Sequence, residues 1–142
     1  MGVPVTAYAA DAAGAIEAAL RCAPLIVDGL IGYGLRDAPR GGVADLIRLA
    51  GAGRRILSLD VPSGLDPTSG GVRDPAIQAQ ATLTLALPKA GLLSPAARGH
   101  VGRLYLADIG VPPAAFERLG IKAPRIFGAR ECLHLAAGPA AG

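Results

Sequence analysis

Short apolar runs, each closed by a polar or glycine-bearing stretch, set the rhythm of the chain. Leu25 to Val27 ends at Asp28, Arg55 to Leu59 ends at Asp60, Ala81 to Leu87 ends at Pro88, and Gly102 to Leu106 ends near Asp108. Runs this short and this apolar predict buried parallel strands. A β-branched stretch from Gly2 to Tyr8 predicts one more strand at the start. Between these runs the period changes. Asp11 is placed to cap a helix over Ala12 to Arg21, with Ile16, Ala19 and Leu20 on one face, and Pro24 stops it. Val43, Leu46, Ile47 and Ala50 recur at helical spacing over Gly42 to Ala50, and Gly51 and Gly53 end that helix. In the third run Leu83, Leu85 and Leu87 share one face and Thr82 and Thr84 the other. Asp66 to Asp74 reads as a turn region, Pro112 and Pro113 start a short helix through Leu119, and from Ala123 onward the pattern fades into an Ala/Gly/Pro tail.

Strands alternating with helices predict an α/β fold, in which ligands bind outside the carboxyl ends of the strands. Asp28 and Asp60 both fall at such ends. After Asp60, Pro62 fixes φ and Gly64 permits a positive one, which predicts a tight turn holding Ser63 beside Asp60. The same residues also serve simply as turn formers. Gly29-Leu-Ile-Gly-Tyr-Gly34 offers backbone N–H groups to an anion or carbonyl, although it is neither a GxGxxG nor a P-loop, and a structural turn is the plainer reading. Lys89 sits at the carboxyl end of the third run, where a solvated lysine is the default.

Composition narrows the classes. The 142 residues predict one domain over residues 1–122, with 123–142 as a tail or the start of a linker. No apolar run approaches the about 18 residues needed to span a bilayer. The net charge of +3 comes from scattered arginines without interleaved aromatics, which argues against nucleic-acid binding. Cys22 and Cys132 lack metal or redox spacing and read as reduced, structural thiols. The opening residues do not have the form of a secretory signal, so a cytoplasmic protein is expected.

Four motifs, in this order and spacing, resemble the NAD(P)H-hydrate epimerase family, also called the YjeF N-terminal domain. They are Val27-Asp-Gly-Leu-Ile-Gly-Tyr-Gly34, Leu59-Asp-Val-Pro-Ser-Gly-Leu-Asp66, Ala81-Thr-Leu-Thr-Leu85 running on to Pro88-Lys-Ala-Gly-Leu-Leu93, and Ala107-Asp-Ile-Gly-Val-Pro112. The resemblance extends over about residues 20 to 113. It implies a Rossmann-like three-layer α/β/α sandwich with a mostly parallel sheet, and interconversion of the R and S forms of hydrated NADH or NADPH at ring carbon 6, with a potassium ion. By resemblance Asp60 is the substrate-binding, acid/base aspartate; Asp28 and Ser63 are potassium ligands; and Gly32, Tyr33, Gly34, Leu35, Arg36, Asp37 and Ala38 form a substrate-binding segment.

The family's Asn-Asn-Gly-Gly-Asp-Gly phosphate loop has no counterpart here. The expectation is therefore a domain lacking the family's N-terminal portion, including a strand from inside the sheet, whose loss would leave two new edges. Such a chain should be a poor epimerase by itself and prone to associate, as a homo-oligomer or otherwise. A non-catalytic nucleotide- or ligand-binding module is the alternative, as is an inactive fragment of an epimerase. A hydrolase using Ser63 has little support, because no Gly-x-Ser-x-Gly elbow is present and neither His100 nor His134 lies in a motif that pairs it with Ser63.

Overall fold

Four of the apolar runs become parallel strands: β1 (Ile26–Asp28), β2 (Ile56–Leu59), β3 (Ala81–Leu85) and β4 (Arg103–Ala107). A fifth, β5 (Cys132–Leu135), lies antiparallel to β4, and the sheet order is β1-β2-β3-β4-β5. The computed structural model describes residues 2–51, 54–122 and 126–135. The register pairs Ile26 with Ile56, Leu59 with Leu83 and Leu83 with Tyr105. All four parallel strands therefore present their carboxyl ends on one edge, where Asp28 and Asp60 stand.

One face of the sheet is packed. The helix α2 (Gly41–Ala50) lays Ile47 and Ala50 over Ile56, Ile77 and Ala79, with Ile26 and Val43 at the margin. Farther along, Val61, Leu65, Leu92, Ala97, Val101 and Leu104 form a second cluster under the 3-10 turns Ala90–Leu93 and Pro95–Ala97 and the short α3 (Arg98–Val101), with Leu135 against it. Side chains on a strand alternate between faces, so Val27, Leu57, Leu59, Leu83, Leu85 and Tyr105 share the opposite face. None of them is buried; Val27 is 55% and Leu59 39% exposed. The described residues thus supply one of the two helical layers of a sandwich.

On β3 the face turned inward is the polar one. Its threonines are the residues turned inward: Thr82 and Thr84 are fully buried while Leu83 and Leu85 are only half covered. Thr82 keeps its hydroxyl satisfied by donating to the Val101 carbonyl at 2.8 Å.

Several local expectations need correction. Residues 2–9 form no strand. They run along the surface with Val3 and Val5 almost wholly exposed, and are fastened by Tyr8, whose ring lies over Gly42 and whose hydroxyl donates to Asp45 at 3.0 Å. Partial burial and the Asp45 carboxylate push that phenol above its ordinary value. Asp11 caps nothing: it lies inside the 3-10 turn Ala10–Ala12, which leads into α1 (Ala13–Cys22) with no side-chain cap. The α2 prediction holds to one residue, and Gly51 closes it at φ 60°; Gly53 lies outside the described residues. The third strand stops at Leu85, before Leu87, because Ala86 takes a left-handed φ of 62°. The short helix after Pro112 is α4 (Pro113–Arg118).

Two larger corrections concern the sheet. The fading pattern after Ala123 concealed β5, which is paired to β4 through residues 132–135; the tail beyond it lies outside the described residues. The sheet is also continuous, since β1 pairs directly with β2. Among the described residues no gap interrupts its interior, and β1 is simply an outer edge. Cys22 and Cys132 are free and exposed, so neither has a place in the core.

Candidate functional site

The site begins where β2 ends. The Asp60 amide still follows the ladder, donating to the Leu83 carbonyl at 2.8 Å, but its own φ is 66°. A left-handed aspartate is uncommon, and such strain concentrates at functional positions. The chain then folds through Val61, Pro62 and Ser63, all buried, to Gly64 at φ 95°. A Cβ on Gly64 would come within 2.5 Å of the Pro75 carbonyl and 2.6 Å of the Ala76 Cα, so only glycine fits the close approach of these two segments. Asp66 closes the turn by accepting from the Ser69 and Thr68 amides, which hold its carboxyl below the usual range.

The turn does not place Ser63 against Asp60 as the spacing suggested. It aims the hydroxyl the other way, at Asp28 on the neighbouring strand. Ser63 Oγ donates to Asp28 Oδ1 at 2.6 Å and accepts from the Ile31 amide at 2.9 Å, with the Ile31 carbonyl 3.3 Å away. Asp28 Oδ2 accepts from the Ser63 amide at 2.9 Å and from the Ser58 hydroxyl at 2.7 Å, and the Leu30 amide reaches Oδ1 at 3.3 Å. Asp28 is 2% exposed and every one of these donors is neutral. A buried carboxylate beside a hydroxyl and a backbone carbonyl is a cluster of oxygen donors that an oxygen-seeking monovalent cation would suit. Carboxylate, hydroxyl and carbonyl oxygens stand together there, and the donor set fits potassium. Among the described residues no three His, Cys, Asp or Glu side chains come together in a group that could hold a metal ion.

Asp60 is built differently. Lys89 forms an ion pair with its Oδ1 and also donates to the Leu85 carbonyl at 2.9 Å. The Leu85 amide donates to the same Oδ1 at 3.3 Å, and the Thr84 hydroxyl lies 3.5 Å away. Oδ2 accepts no hydrogen bond from the described residues and faces Gly32, where a Cβ added to the glycine would lie 3.7 Å from it. The expected substrate segment thus starts against Asp60 at Gly32 and then runs outward: Tyr33, Gly34, Arg36, Asp37 and Ala38 are exposed and Leu35 half-buried.

Sequence reasoning missed two participants. Lys89 is not the solvated lysine its position suggests: it is only 16% exposed and is bound to the central acid. Ser58 holds Asp28 from within β2, and its signal was a hydroxyl interrupting an apolar strand. Beside this site, at the ends of β3 and β4, Ala86, Asp108, Pro112, Phe116 and Phe127 help line an open cavity of about 500 Å³.

Residues 1–91 match the family described as YjeF-related protein N-terminus. The chain belongs to this family. It is 50% identical over 101 residues to the NAD(P)H-hydrate epimerase of Dehalogenimonas lykanthroporepellens, covering 70% of this chain and 40% of that one. Similarity to the bifunctional NAD(P)H-hydrate repair enzyme Nnr of Pyrobaculum aerophilum is 42% over 96 residues, or 66% of this chain and 19% of that one. The chain therefore spans two fifths or less of these curated relatives. The crystal structure of the yeast protein ynu0 shares the fold with a TM-score of 0.59 at 22% identity, covering 86% of this chain and 51% of that one. The matched residues 1–91 include Asp28, Asp60 and Lys89.

Proposed function

We propose that this chain carries the acid/base centre of an NAD(P)H-hydrate epimerase, with Asp60 as the acid/base group and hydrated NADH or NADPH as substrate. The observation that supports this is the state of Asp60: a left-handed residue at the carboxyl edge, with one carboxylate oxygen secured and the other directed at the Gly32 loop. Epimerising a carbinolamine carbon requires the hydroxyl to leave and return, or the ring to open and close. Either route moves a proton onto and off an oxygen, a task within reach of one carboxyl group. Oδ2 is the oxygen left for it.

The segment Gly32 to Ala38 would lie along the substrate, with Gly32 keeping its backbone close to the reacting ring and Arg36 available to a phosphate. Asp28 and Ser63 would hold potassium, which supplies a fixed positive charge beside an anionic dinucleotide. The names of the relatives support the substrate, and a hydrated nicotinamide cofactor suits work in the cytoplasm. Among the described residues no helix is long and apolar enough to cross a membrane.

The test is to follow interconversion of the R and S hydrates, with and without potassium, in wild type and Asp60→Asn. Loss of about 100-fold or more in turnover, with the melting temperature little changed, is expected for the amide, which cannot shuttle the proton. Near wild-type turnover would remove Asp60 from the acid/base role.

A further inference from the structure

We infer that Lys89 is a positioning residue: it clamps Asp60 Oδ1 so that Oδ2 alone is presented to the Gly32 side. Its functional consequence rests on the epimerase reading above. Among the described residues only two that are not glycine have a positive φ, Asp60 at 66° and Ala86 at 62°. They flank this one contact. Asp60 brings the carboxylate off the end of β2, and Ala86 turns the chain after β3 so that Pro88 and Lys89 come back over the strand end.

The turn is tight: the Leu87 amide donates to the Leu85 carbonyl at 2.7 Å, and the Lys89 ammonium bonds that same carbonyl at 2.9 Å while pairing with Asp60. Two strained backbone positions persist only where their surroundings over-determine them. Here they converge on a single carboxylate oxygen.

The alternative is that Lys89 merely neutralises an acid. A neutraliser needs charge nearby, without a second anchor. The Nζ has that anchor on Leu85, and the Leu85 amide donates to the same Oδ1. One oxygen of the carboxylate is thereby held by two donors, one of them fixed to the strand backbone. A carboxylate free to rotate would offer its oxygens alternately, and misplacing a reacting group by about 1 Å can cost about 100-fold in rate.

The experiment uses the full chain as wild type, Lys89→Met and Lys89→Arg, with two readouts. The first is the Leu85 amide proton by NMR, whose shift and exchange protection report its bond to Asp60. In Lys89→Met that protection should fall by about tenfold while amides elsewhere in β3 stay unchanged. The second is turnover of hydrated NADH. Lys89→Met should lower kcat by about 100-fold with KM moved less than about threefold, and Lys89→Arg should recover much of the loss.

An unchanged Leu85 amide in Lys89→Met overturns the clamp whatever the activity. A released amide with undiminished kcat overturns its consequence for the reaction. A wild type that gives no interconversion of the hydrates above the uncatalysed rate even at high protein concentration, while the amide is still released on substitution, means that the epimerase reading fails and the clamp stands.

Discussion

Two aspartates one strand apart show how environment assigns roles to the same side chain. Asp28 is enclosed and accepts from Ser58, Ser63 and Leu30, so its carboxylate is a structural hub for the strand ends. Removing it strands several buried donors at once. Asp28→Ala should lower stability by about 3 kcal/mol, measured by urea denaturation, whereas Ser63→Ala, which leaves the carboxylate its remaining partners, should cost about 1 kcal/mol. Equal costs would mean that the network is not centred on Asp28. The residue types and their motif spacing were legible in the sequence. Which hydroxyl faced which carboxylate was not, because Ser63 is three residues from Asp60 yet turns its side chain to a partner 35 positions away.

At the scale of elements, the β2 turn is the part with least freedom. Gly64 at φ 95° has the Pro75 carbonyl and the Ala76 Cα where a Cβ would go. Gly64→Ala should destabilise the protein by about 3 kcal/mol or more, combining backbone strain with displacement of a buried segment, and thermal unfolding would show it. A shift under about 1 kcal/mol would mean that the 75–76 segment yields easily. Helix α2 and strands β1 to β4 were readable because their apolar period is strong. The 2–9 segment and β5 were misread for a shared reason. A β-branched stretch becomes a strand only if a sheet edge accepts it, and Cys132–Leu135 becomes one because β4 offers an edge.

The whole molecule has an asymmetric sheet. One face is packed by α2 and the turns before α3, while the other exposes Val27 and Leu59 beside half-covered Leu57, Leu83 and Leu85. Parallel sheets are ordinarily covered on both faces, and among the described residues no strand pairs with the outer edge of β1. The isolated chain should therefore bind an apolar dye in its folded state and show a concentration-dependent mass by sedimentation. A monomer at every concentration that binds no dye would contradict this. The expectation of two edges opened inside the sheet is replaced by this one outer edge and one bare face, because β1 and β2 pair directly.

Sequence by itself determined the α/β class, the order of the parallel strands along the chain, and the delivery of Asp28 and Asp60 to a common edge. Those follow from local period and from turn residues a few positions apart, which any fold built from these strands must respect. Tertiary structure alone decided the partners. The pairing of Lys89 with Asp60, the burial of Thr82 and Thr84 in place of the neighbouring leucines, and the union of Ser58, Ser63 and Asp28 each join residues distant in the chain. Such contacts depend on strand register and on which face the helices cover, quantities that a one-dimensional pattern leaves open.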